Sequence, residues 1–170
     1  MNNTRRIAAC GILVALAVCL MLVGEMIGIG TYAAPMLAGL VLLPAGKEWG
    51  KKTHVMLWAA VSLLCVFVIG DIEQTLTFIT VFGLYPILRS FFEKLPRGCR
   101  LITKLVYFNA VAVLTEILVI KLFVPGGEEA WLLLTLLIAG NVAFLLYDAI
   151  LPRLLLLYEV RLKKLFSGRR

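Results

Sequence analysis

The sequence is poor in charge and in the residues that carry enzyme chemistry. Only 16% of its 170 residues are Asp, Glu, Lys or Arg, against roughly a quarter in soluble domains. So few charges cannot clothe a composition that is 62% hydrophobic, which excludes an ordinary soluble domain. There is one histidine, His54, and the four cysteines (Cys10, Cys19, Cys65, Cys99) form no CxxC or other metal-ligand spacing. Three of them lie in apolar runs, where a thiol behaves as a small hydrophobe. No disulfide, metal site or cofactor is therefore expected. The sequence also lacks a nucleophile–base pair, a glycine-rich phosphate loop and an acidic motif of the phosphatidyltransferase type. These absences argue against an ATPase and against a self-contained intramembrane enzyme.

What the sequence does contain is apolar runs separated by short charged turns. The stretch Thr75–Lys104 shows the pattern best. About fifteen mostly apolar residues lead into Arg89 and Lys94, and then into a loop carrying Arg97, Arg100 and Lys104. Six spans are predicted, at about 7–27, 32–45, 54–69, 76–88 (with the helix continuing to Phe92), 101–124 and 130–151. The second is short, about 20–24 Å at 1.5 Å per residue, with Pro35 near its start and Gly39 inside. The turns are basic at 46–52, acidic at 70–74 and 125–129. Pro86 cannot donate to the carbonyl four residues back, so a kink near Phe82 is expected. After Pro152, residues 153–166 mix leucines with lysines and arginines. They read as a continued helix with snorkelling lysines, or as a helix lying on the membrane surface. The first span follows Arg5 and Arg6 and is read as a retained helix rather than a cleaved signal. The predicted fold class is an all-α, polytopic integral membrane protein of six transmembrane helices, one domain over residues 1–170.

The net charge of +7 does not point to nucleic acid, because the basic residues sit in clusters between spans. With six spans, every Lys and Arg except Lys121 falls on one side. The opposite loops carry Asp71, Glu73, Glu128 and Glu129 and no basic residue. That asymmetry places both termini in the cytoplasm.

Ionisable and amide groups inside spans are costly, and so they are candidates for function. They are Glu25, Asn109, Glu116, Lys121, Asn141 and Asp148. If the first, fifth and sixth helices surround an outward cavity, Glu25, Glu116, Lys121 and Asn141 line it beside Tyr32, Asp71, Glu73 and Gln74. Such a pocket would suit a zwitterionic or heteroaromatic solute. The competing reading is an internal ion pair of Lys121 with Glu25 or Glu116. Asp148 reads as a structural ion pair close to Arg153, and Asn109 and Asn141 as interhelical hydrogen bonds. Gly11 and Ala15, extended by Cys19, make a small-xxx-small face on the first helix. It suits close approach of a partner helix or packing within the chain.

The chain resembles the substrate-binding S components of energy-coupling factor (ECF) vitamin importers. The resemblance covers the whole length in size, six-helix topology and basic N-terminus. It is most specific in the first helix, RRIAACGILVALAV, where Gly11-xxx-Ala15 with Ala8 and Ala9 upstream is similar to the family's AxxxA-type motif. Gly11 stands where that motif has its first alanine. The resemblance implies a bacterial plasma-membrane subunit, not itself an enzyme, that captures a small vitamin-like solute near its outer surface. It implies docking through Ala8, Gly11 and Ala15 onto a membrane coupling protein driven by two ATPases, with toppling in the bilayer. Two other classes fit the composition: a scaffolding membrane protein of the MreD type, and a small standalone transporter.

Overall fold

The computed structural model describes residues 3–28, 30–123 and 130–157, with side chains left out at 3, 30, 31, 90, 97, 120–123, 130–134 and 136. Every described element is helical: α1 (Asn3–Ile27), α2 (Gly30–Val68), α3 (Ile72–Thr77), a π-helical turn (Phe78–Phe82), α4 (Tyr85–Phe92), α5 (Arg97–Phe123) and α6 (Ala130–Leu157).

α2 is not one rod. Gly50 has φ 84° and ψ 172°, a region that only glycine enters without strain. The chain folds back there. A side chain at Gly46 would collide with the His54 ring, although eight residues along a straight helix are about 12 Å apart. The tethers on either side agree. Arg6 donates to Thr53 Oγ1 at 2.6 Å, and Gly70 N–H donates to Glu25 Oε1 at 2.9 Å. α1 therefore runs parallel to the second limb of α2 (51–68) and antiparallel to the first (30–49). The expected basic turn at 46–52 is thus narrower than its polar composition indicates. Helix persists to Trp49 and one glycine makes the reversal.

The first limb lies between two cores. Its small face (Ala34, Ala38, Leu42 and Ala45) packs with Leu13, Ala17 and Met21 of α1, with Leu57, Val61 and Cys65 of the second limb, and with Phe78. Leu43 joins Val81, Phe82, Tyr85, Phe108, Phe144 and Tyr147 in the other core. Buried alanines bring helix backbones close, which is how apolar helices associate without a hydrophobic driving force. At Gly39 the approach is closest: an added Cβ would lie 2.5 Å from the Phe82 carbonyl oxygen and 2.7 Å from Tyr147 Oη.

Among the described residues, four helices are long and apolar enough to cross a membrane: Thr4–Ile27, Tyr32–Val68, Gly98–Val119 and Leu137–Leu157. Only 22% of the most apolar window of Thr4–Ile27 is buried. Ile7, Ile12, Phe67, Leu114 and Ile138 all face outward. Apolar side chains inside and outside alike mark a surface whose solvent is lipid. These helices fit a multi-pass membrane protein.

The α-helical hydrogen bonding is interrupted near Phe82, where the kink is expected. Gly83 N–H bonds to the Phe78 carbonyl at 2.8 Å, five residues back. Pro86 follows at the start of α4 and offers no N–H to the Phe82 carbonyl. α6 runs through Pro152 to Leu157, so the helix continues past the proline as far as it is described.

Candidate functional site

The break in the helix between α3 and α4 would leave carbonyl groups without partners in the middle of an apolar bundle, where each orphan is costly. Three aromatic side chains from other elements fill them. Trp58 Nε1 donates to the Ile79 carbonyl at 3.2 Å, Tyr107 Oη to Thr80 at 2.9 Å and Tyr147 Oη to Phe82 at 2.8 Å. None of these donors was singled out from the sequence. The available signal was that a Tyr or Trp inside an apolar span needs somewhere to put its polar tip.

The predicted substrate-binding residues fall into separate groups. At the far end of α1, Glu25 and Asp71 cap the turn between α2 and α3, and Gln74 reaches back to α1. Glu25 accepts from Gly70 N–H. Asp71 caps α3 by accepting from Gln74 N–H at 3.0 Å. Gln74 is fully buried and donates from Nε2 to the Met21 carbonyl at 2.7 Å, while its Oε1 has no partner among the described residues. The same end holds a second group, in which Tyr32 Oη faces Glu116 Oε1 at 3.5 Å, long for a hydrogen bond. Beside them Thr80 and Thr115 share a hydroxyl contact of 3.2 Å. A cavity of about 10 Å³ lies among Tyr32, Thr77, Phe108, Thr115 and Glu116, room for about one water molecule. The side chain of Lys121 lies outside the described residues, as do Glu128 and Glu129 and the basic segment 158–170.

Asn141 lies deeper, in a reciprocal clasp with Asn109. Asn109 Nδ2 donates to Asn141 Oδ1 at 2.9 Å and Asn141 Nδ2 returns a bond of 2.8 Å. Each amide gives its second hydrogen to the carbonyl four residues back in its own helix, Leu105 and Leu137. All four amide hydrogens are used, and the interhelical reading of this pair holds.

No family model matches the chain, and no curated protein or solved structure matches it at a significant level.

At the opposite end, Asp148 is a structural ion pair as expected, but its partners are distant in sequence. Lys104 Nζ lies 2.7 and 2.8 Å from its two oxygens, Arg89 Nε 3.5 Å from Oδ1, and Tyr85 Oη donates to Oδ1 at 2.6 Å. Arg89 also bridges to Glu93 at 2.8 Å. The cluster ties α4, α5 and α6 together through one carboxylate. The aromatic rings of Tyr85, Phe92, Tyr107, Phe144 and Tyr147 pack around it.

The predicted docking residues lie on one open face of α1. Ala8, Gly11 and Ala15 are exposed, as is Cys19, and a Cβ built at Gly11 meets no atom within 4 Å. Packing among the described residues therefore does not account for the small residues on this face.

Proposed function

We propose that the chain is the substrate-binding subunit of an ECF-type importer in a bacterial plasma membrane. In this reading it takes a small vitamin-like solute from outside and docks on a membrane coupling protein served by two ATPases. The observation that carries the reading is the open face of α1, where Ala8, Gly11 and Ala15 are exposed among the described residues. A smooth, small-residue face pointing away from its own core is what a partner helix needs for close approach.

The chain then crosses the bilayer six times: α1, the two limbs of α2, the broken segment 72–92, α5 and α6. The first limb and the segment 72–92 each rise roughly 30 Å at 1.5 Å per residue, the thickness of the hydrocarbon core. Lys47, Lys51, Lys52, Arg89, Lys94, Arg100 and Lys104 gather at the end where α1 begins, and Asp71 and Glu73 at the other. The basic end is cytoplasmic by the positive-inside bias. The solute site is at the acidic end, lined by Tyr32, Thr115 and Glu116. The cavity there is about 10 Å³, so solute uptake requires Tyr32 and Glu116 to part.

That closed cavity is also the observation that favours a second reading, a scaffold of the MreD type. Such a protein needs lateral and cytoplasmic contact surfaces and no pocket. Affinity capture of the tagged chain from its native membrane in mild detergent separates the two. Co-purification of a large membrane coupling protein with two ATPases supports the importer; cell-wall or division proteins in their place reject it. Gly11→Leu and Ala15→Leu should leave the melting temperature within about 2 °C of the parent and abolish capture of the coupling protein. Loss of folding in either variant would make the face ordinary core packing.

A further inference from the structure

A crease on the outside of the bundle joins an apolar groove to a basic cleft. The groove, about 290 Å³, lies between α1 (Leu20), the first limb of α2 (Leu37, Val41, Pro44) and the end of α6 (Leu154, Leu157). Through Leu20 and Leu37 it continues into a second apolar hollow of about 300 Å³ beside Val23, Ile27 and Ala33. No lining residue in either is polar. From Ala33 to Pro44 the limb rises about 16 Å at 1.5 Å per residue. That is close to one leaflet of a hydrocarbon core about 30 Å thick.

At its other end the groove changes character. Leu43 and Leu155 also line a cleft of about 210 Å³ with Lys47, Lys51 and His54. Lys47 and Leu155 go on to line a hollow of about 370 Å³ with Arg89 and Glu93. The two together hold Lys47 and Lys51 beside the Arg89–Glu93 ion pair. His54 supplies an independent pointer. The residue lines the cleft and is 5% exposed, yet Nε2 has no hydrogen-bond partner among the described residues. A buried ring nitrogen in a polar cleft is normally satisfied by a ligand or an ordered water.

We propose that this crease is a binding site for one anionic phospholipid. One acyl chain lies in the groove beside Leu37, Val41 and Leu154. The phosphate sits in the cleft, accepting hydrogen bonds from Lys47, Lys51 and the His54 ring. Basic pockets between membrane helices select anionic headgroups by charge, while the apolar groove supplies chain contacts that any lipid could share. The headgroup therefore decides selectivity, and a soluble phosphate, lacking the chain, binds poorly. The site depends only on the chain being embedded in a bilayer, so it stands or falls separately from the importer reading.

The test uses the full chain purified in dodecyl maltoside. Dioleoylphosphatidylglycerol is compared with dioleoylphosphatidylcholine, which has the same chains, by native mass spectrometry and thermal shift. The phosphatidylglycerol is expected to bind at least about tenfold more tightly and to raise the melting temperature, with glycerol 3-phosphate doing neither. Lys47→Gln with Lys51→Gln should bring the ratio of the two lipids close to one. Val41→Trp should weaken both lipids alike by filling the groove. Equal binding of the two lipids by the parent chain overturns the proposal. So does a double variant that keeps the preference, or a full effect from glycerol 3-phosphate alone, which would make the cleft a site for free phosphate. If the double variant does not fold, Lys51→Gln alone must reduce the preference, and the parent comparison decides in any case.

Discussion

Tyr147 is completely buried, and its hydroxyl serves one purpose in the fold. It satisfies the Phe82 carbonyl, to which Pro86 has no N–H to offer. Tyr147→Phe keeps the ring packing against Phe82 and Tyr85 and removes only that bond. An orphaned buried carbonyl costs about 1–3 kcal/mol in water-soluble proteins, and hydrogen bonds between membrane helices average about 0.6 kcal/mol. The expected loss is therefore about 1 kcal/mol, measurable by reversible unfolding in mixed micelles. Asp148 carries more. Lys104 is 5% exposed and makes its ion pair to this carboxylate. Asp148→Asn strands that ammonium and weakens the hold on Arg89. Removing one partner of a buried pair costs about 3–5 kcal/mol. Asp148 keeps 21% of its side chain exposed, which lowers the expectation to about 2–3 kcal/mol. The double variant Asp148→Asn with Lys104→Met should recover part of the loss, because no charge is then left unpaired. Failure to recover any of it would mean that the carboxylate acts mainly through Tyr85 or Arg89.

At the scale of the element, two irregular places shape the bundle. One is Gly50, where a left-handed φ joins two helical limbs. Gly50→Ala forces a side chain into that region at a cost of about 1–3 kcal/mol. It should lower the melting temperature without changing how the rest of the chain packs. The neighbouring Gly46→Ala acts differently. Its Cβ would collide with the His54 ring, so it should disturb the cleft that holds Lys47 and Lys51 as well as stability. The other place is the π-helical turn at 78–82. Its broken bonds are met by donors from α2, α5 and α6, so the three elements share one polar seam. A bulky residue at Gly39 would strike both the Phe82 carbonyl and Tyr147 Oη, and the first limb would have to move off the seam.

For the whole molecule, the distribution of charge is the clearest global feature. The chain's reversals bring Arg6 beside Thr53 and Arg89 and Lys104 beside Asp148 at one end, with Glu25, Asp71 and Gln74 at the other. The proposed six crossings with a cytoplasmic basic end predict opposite access for single cysteines placed at Lys52 and at Glu73 in a cysteine-free background. A membrane-impermeant thiol reagent added to intact cells should label the second and spare the first. Labelling at Lys52 would invert the orientation, and labelling of both would show that the limbs of α2 do not each cross.

Composition and local chemistry were enough to read the helices and much of their punctuation. Apolar composition called for long helices fit to cross a membrane, and Pro86 required the break near Phe82. These are local properties, set by each segment's own transfer energy and backbone chemistry. Which polar groups meet emerged from the packing of the helices. Asp148 takes Lys104 and Arg89 from other helices, Asn141 takes Asn109, and instead of joining Glu116 the candidate residues Glu25 and Asp71 cap a turn while Gln74 bonds to Met21. The physical reason is that α1 and α6 are apolar almost all the way round. No stripe in such a helix says which face points inward. The rotation of each helix is fixed by close packing at Ala34, Ala38 and Gly39 and by the few polar pairs that must find each other away from water.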